Sequence, residues 1–284
     1  MTDISVIIVT WNSENEIIPC IESVISNSKN LSVELIIIDN NSSDNTFPVI
    51  NKTSYHNLHT YKNNENFGFT KAVNQGIKYS NGKNIFILNP DTVLNEGVLE
   101  GLNNFLNDNN DYRACAPIML NEDGSIQYSI RNFPDYWTMF CEFTLLAYIF
   151  PKSKLFGKWK AKYFDYSKDA DVQQPMAAAL MLKKSVLDEV GNMDERFAMF
   201  FNDVDLCKKI IDKKYRIRLL TKAEITHEHG ASIHKDRIRM IKIWNEDCIK
   251  YFEKHHNNTL LLLWLKINLK ISEILRILYY KLFK

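Results

Sequence analysis

Apolar residues in the first 120 positions fall into short runs, interrupted by one polar residue at most, separated by stretches in which they recur at helical spacing. The runs are ISVIIV at 4–9, VELIII at 33–38 and IFIL at 85–88. Runs of this length and uniformity suit strands buried on both faces of a parallel sheet. Residues 58–62 and 113–120 read as two further strands. Between them, Ile17, Ile18, Ile21, Val24 and Ile25 supply one apolar helical face, with Ser13 and Glu16 at capping-box spacing ahead of it. A second helix runs from near Gly68 to Ile77, and a third covers 95–107. Strands alternating with helices predict an α/β fold built on a doubly wound, mostly parallel sheet.

The pattern then changes. Glu122, Asp123 and Gly124 form a hairpin-turn signal. Residues 133–166 hold 12 of the 34 aromatic residues, a density that fits an exposed lip, a membrane contact or an acceptor groove, and equally a helical pair packed on the sheet. PMAAALML at 175–182 is a small apolar strand or turn suited to lie under a site. Ser185 is placed to cap a short helix ending at Val190, and 215–220 reads as a strand. At the C-terminus, 260–284 places Lys266, Lys270, Glu273, Lys281 and Lys284 near one helical face with Arg276 at its flank, and apolar residues over most of the rest. Five basic residues against one acidic one, on a helix too interrupted to span a bilayer, suit a membrane interface. A helix packed on the domain or on a second subunit has the same pattern.

Composition narrows the function classes. The net charge is +1, which gives no reason to expect a nucleic-acid partner. Five scattered cysteines without a C-x-x-C pair fit buried thiols in a reducing compartment. No basic n-region or cleavage site follows the N-terminus, so no signal peptide is expected and the expected location is cytoplasmic.

The chemistry concentrates where strands end. Pro90 stops the 85–88 strand, and Asp91 follows it directly. Ligands of open α/β sheets bind at that edge, and a carboxylate there can hold Mg²⁺ or Mn²⁺ against a diphosphate. Asn-Pro-Asp is also ordinary turn chemistry. Asp39 ends the 33–38 strand at the same edge. Asp203 and Asp205 open a helix behind the aromatic pair Phe200 and Phe201. The helix dipole alone favours acids there, and a general base with an apolar wall is the functional reading. His227 and His229 are two apart on an extended segment and point to opposite faces, so one of them at most is a ligand. The first strand lacks the G-x-G-x-x-G of dinucleotide folds, and no Walker loop is present.

Taken in order, VIIVTWN, IIIDNNSSDNT, NENFGFTKAVNQGI, FILNPDT, DERFAMFFNDVDL and THEHGAS resemble family 2 glycosyltransferases of GT-A fold, in particular the bacterial rhamnosyltransferase-like branch. The resemblance covers about residues 5–232. It implies a nucleotide-sugar-binding half (1–120), an acceptor-binding and catalytic half (121–235) and a helical extension (236–284). It implies that Thr10, Asn12 and Asp39 line the base and ribose pocket, and that Asn66, Gly68, Lys71 and Asn74 lie near the donor ribose and diphosphate. Asn89 and Asp91 would occupy the family's D-x-D position, with Asp91 as metal ligand and His227 beside it. Asp203 would be the catalytic base. Implied, too, are transfer with inversion onto a glycan or lipid-linked acceptor in cell-surface polysaccharide synthesis, and a peripheral position on the inner face of the plasma membrane. The expected donor is dTDP-L-rhamnose, with a UDP-hexose donor or a non-catalytic nucleotide-sugar-binding relative as alternatives. Two positions depart from the pattern. Asn202 stands where the family has an acid, and Ala177–Ala179 stand where it has a glycine.

Overall fold

The computed structural model describes residues 2–227 and 237–283. In chain order the elements are β1 (Ile4–Thr10), α1 (Ile17–Asn27), β2 (Val33–Asp39), α2 (Thr46–Ile50), β3 (Leu58–Lys62), α3 (Phe69–Tyr79), β4 (Asn84–Leu88), β5 (Thr92–Leu94), α4 (Val98–Asp108) and β6 (Tyr112–Leu120). Then come β7 (Ile130–Arg131), α5 (Tyr136–Phe143), α6 (Leu146–Ile149), β8 (Ala170–Asp171), β9 (Gln174–Pro175), β10 (Ala179–Lys183), α7 (Lys184–Val190), α8 (Asn202–Asp212), β11 (Arg216–His227), α9 (Arg237–His255) and α10 (Thr259–Phe283).

The main sheet runs β3-β2-β1-β4-β10-β6-β11-β5, with β8 beside β11. The first four strands are parallel, as the apolar runs of β1, β2 and β4 predict. Thr10 pairs with Asp39 and Ile8 with Leu88, so these strands end at one edge. β10 enters between β4 and β6 and is antiparallel to both, so residues from both expected halves share one sheet. Its first residue, Ala179, pairs with Leu88, the last of β4. The chain just before β10 therefore crosses the site edge. β7 and β9 form a separate two-stranded ribbon there.

Apolar helix faces cover both sides of the sheet. Ile17, Ile21, Leu99 and Leu102 pack on one side, and Val73, Ile77, Leu206 and Ile210 on the other. A third cluster joins α5, α8, α9 and α10 through Met139, Val204, Tyr251, Phe252, Leu265 and Leu269. All five cysteines are free and buried.

Several local expectations differ. The capping box at Ser13 and Glu16 does not form: the Ser13 N–H donates to Thr46 Oγ1 at 2.7 Å, and α1 has no side-chain cap. Ser185 lies inside α7 rather than capping it. The strand expected at 215–220 continues to His227 past a register shift between Leu220 and Glu224, because β6 and then β5 continue to offer it partners. The aromatic stretch divides: Phe143 packs on Trp264 of α10, while Trp137, Phe140, Tyr148 and Phe150 stay exposed.

Asp205 ties α8 to α9. Its buried carboxylate accepts from His255 Nε2 and Lys254 Nζ, both at 2.7 Å. Burial alone would raise its pKa; the His255 and Lys254 bonds outweigh that and hold it below the usual carboxylate value of 3.8. Its contribution is therefore present above that value and lost as pH falls through the lowered one. Asp205→Asn should cost about 3 kcal/mol at pH 7, the low end for breaking a buried pair, because Lys254 keeps Asp194. Urea denaturation at pH 7 and pH 3 checks this: the gap from wild type should narrow in acid.

Candidate active site

Two cavities adjoin at the end of β4. The smaller, about 320 Å³, is lined by Trp11, Asn40, Asn66, Gly68, Asn89, Asp91 and His227 among others. The larger, about 560 Å³, is lined by Arg131, Glu142, Trp159, Gln174, Asp203, Trp244 and Arg276 among others. Asn89, Phe69, Met176 and Met199 border both.

In the smaller cavity Asp91 faces His227, with Oδ1 3.4 Å from Nε2. Asp91 Oδ1 is buried and accepts no hydrogen bond among the described residues. Gln127 fixes the ring. Its Nε2 donates to Asn121 Oδ1 and to the His227 carbonyl, which turns its Oε1 to Nδ1 at 2.6 Å. Nδ1 is then the donor, so a neutral ring turns its Nε2 lone pair towards Asp91. Two such acceptor atoms face each other without repulsion only when a proton or a cation lies between them. The donor set, one carboxylate oxygen and one imidazole nitrogen, fits a divalent cation that takes its remaining ligands from a diphosphate and water. No cluster of three or more His, Cys, Asp or Glu occurs among the described residues. His229 lies outside them.

Gly68 forms the wall at the start of α3. Its φ is +85°, and a Cβ there would lie 3.1 Å from the Ala198 carbonyl oxygen, so both conformation and space call for glycine. Asn66 Oδ1 accepts from its N–H at 2.9 Å.

Asp203 sits in the first turn of α8. Oδ2 accepts from Gln174 Nε2 at 2.9 Å and from the Ala177 N–H at 3.2 Å, and Oδ1 accepts from the Val204 N–H at 2.8 Å. Burial pushes its carboxyl above the usual 3.8, against the opposing pull of those N–H groups and of the Arg131 charge. A positioned carboxylate with a raised pKa beside a cavity has the attributes of a general base.

The other expected residues divide. Thr10 Oγ1 donates to Asp39 Oδ1 at 3.0 Å, and Asp39 Oδ2 accepts from the Ser42 N–H. Asp39 is 1% exposed, so its carboxylate serves the loop after β2. Asn12 has a φ of +54° and accepts from the Ser43 N–H at 2.8 Å, which ties the same loop to the end of β1. Lys71 and Asn74 border neither cavity: Lys71 is exposed on α3, and the Asn74 amide braces Met193 and Glu195.

The glycosyl transferase family 2 profile matches residues 5–167, more than half of the chain. The chain belongs to this family. Among similar proteins is the low-salt glycan biosynthesis hexosyltransferase Agl10 of Haloferax volcanii, 25% identical over 211 residues, which are 73% of this chain and 61% of that protein. Another is the N-acetylglucosaminyl-diphospho-decaprenol L-rhamnosyltransferase of Mycobacterium tuberculosis, 23% identical over 215 residues, 72% of this chain and 69% of that one. Among solved structures, GalNAc-T7 with UDP, GalNAc and Mn²⁺ superposes with a TM-score of 0.63 at 12% identity, over 88% of this chain and 47% of that one. Staphylococcus aureus TarS 1–349 gives 0.55 at 15% identity, over 90% of this chain and 74% of that one. The fold is of GT-A type.

Within this family 2 chain, Asp203 and His227 lie beyond the matched span; His227 lies 3.4 Å from Asp91, and Asp203 lines the adjoining cavity. Gln127, Arg131 and Gln174 were not foreseen. They sit in loops or two-residue strands with no periodic signal; the ribbon register puts Arg131 opposite Gln174, and Gln127 meets His227.

The loop carrying Met199 and Phe200 is held from α9. Asp247 accepts from three successive backbone N–H groups, those of Ala198, Met199 and Phe200, at 3.0–3.3 Å. Asp247→Ala should destabilise the protein by about 1–3 kcal/mol, the cost of leaving buried donors unmet. It should also speed amide hydrogen exchange at 198–200. Exchange rates unchanged from wild type would show that Asp247 does not hold the loop.

Proposed function

We propose that this chain is an inverting glycosyltransferase that moves a sugar from a nucleoside-diphosphate donor to a hydroxyl of a glycan acceptor in cell-surface polysaccharide synthesis. One observation carries the reading: Asp91 and Asp203 lie in adjoining cavities that meet at Asn89. The donor lies in the smaller cavity and the acceptor in the larger. Asp203 takes the proton of the acceptor hydroxyl, whose oxygen bonds to the anomeric carbon from the side opposite the diphosphate. The bond from that carbon to the diphosphate oxygen breaks, and the nucleoside diphosphate leaves with its electron pair. Asp91 and His227 would hold Mg²⁺ or Mn²⁺, which supplies Lewis-acid stabilisation of the charge gathering on the diphosphate. No enzyme nucleophile is needed, since one displacement inverts the centre.

The donor we favour is dTDP-L-rhamnose, in line with the name of the mycobacterial relative. Hydrolysis of a panel of dTDP-, UDP- and GDP-sugars with Mg²⁺ or Mn²⁺ tests it. Turnover of a UDP-hexose alone would replace rhamnose, and turnover of none would leave a nucleotide-sugar-binding protein. Asp203→Asn should lower transfer about 10²–10⁴-fold while retaining donor binding. Because the Asp203 pKa is raised and its unprotonated form acts, the acid limb of kcat/KM should lie above pH 3.8, with rate lost as pH falls through it. Asp91→Ala should abolish metal-stimulated turnover; full activity of that variant with chelator present would sink the metal role.

We infer that the acceptor is lipid-linked and that the enzyme works peripherally on an anionic membrane face. No helix among the described residues is long and apolar enough to cross a membrane. Leu265 and Leu269 of α10 are buried, but Leu263, Ile267, Ile271, Ile274 and Leu278 are about half exposed, as are Phe140 and Phe150 near α6. Lys152, Lys154, Lys270 and Lys281 are exposed on the same elements or beside them. This combination of apolar surface and positive charge suits an anionic bilayer, at about 1 kcal/mol per basic residue near the surface. The full chain should float with anionic liposomes at low salt and lose that on truncation at Asn258. No flotation of either protein would make α10 a packing or dimer element instead.

A further inference from the structure

Arg131 is a charge on the larger cavity that lies near Asp203 and Glu142 without bonding to either. It stands opposite Gln174 in the β7–β9 pair, so the two side chains share a face of the ribbon, and Gln174 is bonded to Asp203. Among the described residues its guanidinium makes no hydrogen bond and no ion pair, and its recorded close neighbour is the Trp159 ring at 5.8 Å. It borders the larger cavity with two more cations, Lys160 and Arg276. Lys160 is neutralised by Glu142 at 2.6 Å. Arg276 reaches in from α10, steadied by Asn245 Oδ1 at 3.0 Å, while the adjacent Glu273 is already tied to Lys270. The remaining acid of the cavity is Asp203, whose carboxylate is committed to three N–H donors and, in the transferase reading, to the acceptor proton. Two guanidinium groups are thus left facing a cavity large enough for a sugar with a charged substituent. The Arg131 fork of N–H donors, without a hydrogen-bond partner among the described residues, suits a phosphate, which it can bind in bidentate fashion. The same cavity is walled by Met139 and Phe143 of α5 and Ser272 of α10, the elements that carry the exposed apolar residues. An acyl or prenyl chain leaving that phosphate would pass onto apolar surface rather than into water.

We propose that the larger cavity is a subsite for the phosphate of the acceptor, formed by Arg131 with Arg276, and that the acceptor is a sugar joined through diphosphate to a membrane lipid. This rests on the transferase reading and names the acceptor class for it. Glu142 Oε1 and Gln174 Oε1, acceptor atoms of the same wall without hydrogen-bond partners among the described residues, are then available to the sugar hydroxyls after small rotations.

The test compares three synthetic acceptors with one sugar and one short alkyl chain: a diphosphate-linked glycoside, a neutral alkyl glycoside and an alkyl uronide. The full chain is assayed with whichever donor it hydrolyses. Absence of any donor hydrolysis counts against the transferase reading itself and is seen before acceptors are added. Wild type should show a KM for the diphosphate acceptor about 10- to 100-fold below that for the neutral one, the range expected of a charge-assisted bond. Arg131→Gln should erase that difference by raising KM for the diphosphate acceptor alone, and Arg131→Lys should restore part of it. Equal KM values in wild type, or a preference for the uronide, would overturn the phosphate subsite. So would an equal loss of kcat on all three acceptors in Arg131→Gln with a displaced acid limb, since Arg131 would then act by setting the Asp203 pKa.

Discussion

One backbone hydrogen bond joins the two sides of the site: the Asn89 N–H donates to the Ala178 carbonyl at 2.9 Å. Pro90 ends β4 and has no N–H of its own, yet this bond continues the pairing with β10 one residue past the strand. It fixes the segment before β10 against the end of β4. Ala177 and Gln174 are thereby held where they bond Asp203, and Asp91 is held across from them. The antiparallel entry of β10 is what makes this possible. A parallel strand in that place would start at the opposite edge of the sheet and leave the acceptor side without its inner wall.

The sequence was most legible where burial writes itself as a run. β1, β2 and β4 were visible because strands covered on both faces have no alternating polar positions, only isolated ones such as Ser5 and Glu34. The carboxylates at strand and helix ends were visible because Pro90 and the aromatic pair mark those ends. Legibility failed where long-range partners decide. Ser13 and Glu16 have the spacing of a capping box, but Thr46, distant in sequence, claims the Ser13 N–H first. Gln127 reaches His227 across 100 positions of chain and carries no local mark at all.

Asn202 shows how a departure from a family pattern can be absorbed. It is buried, and its amide donates to Thr70 Oγ1 and to the Met199 carbonyl, both at 3.0 Å. An acid has no N–H for either bond and would place a second charge beside Asp203. At this position the chain uses the residue to stiffen the junction between α3 and α8. Phe201, next to it, adopts φ +60°, which a bulky residue enters only when its surroundings hold it there. Its ring is enclosed by Trp159, Trp244 and Tyr251.

The burial of every cysteine has a practical side. Burial pushes the Cys20 thiol up to about 12, and it raises Cys115, Cys141, Cys207 and Cys248 as well, so none offers a thiolate to reagents in neutral solution. The wild-type chain is therefore already a silent background for thiol labelling. A cysteine introduced at Tyr148, which is 84% exposed on α6, would be the one fast-reacting group, and a polarity-sensitive dye there would sit among the exposed aromatics. The environment of that surface can then be followed by fluorescence in an otherwise unaltered protein.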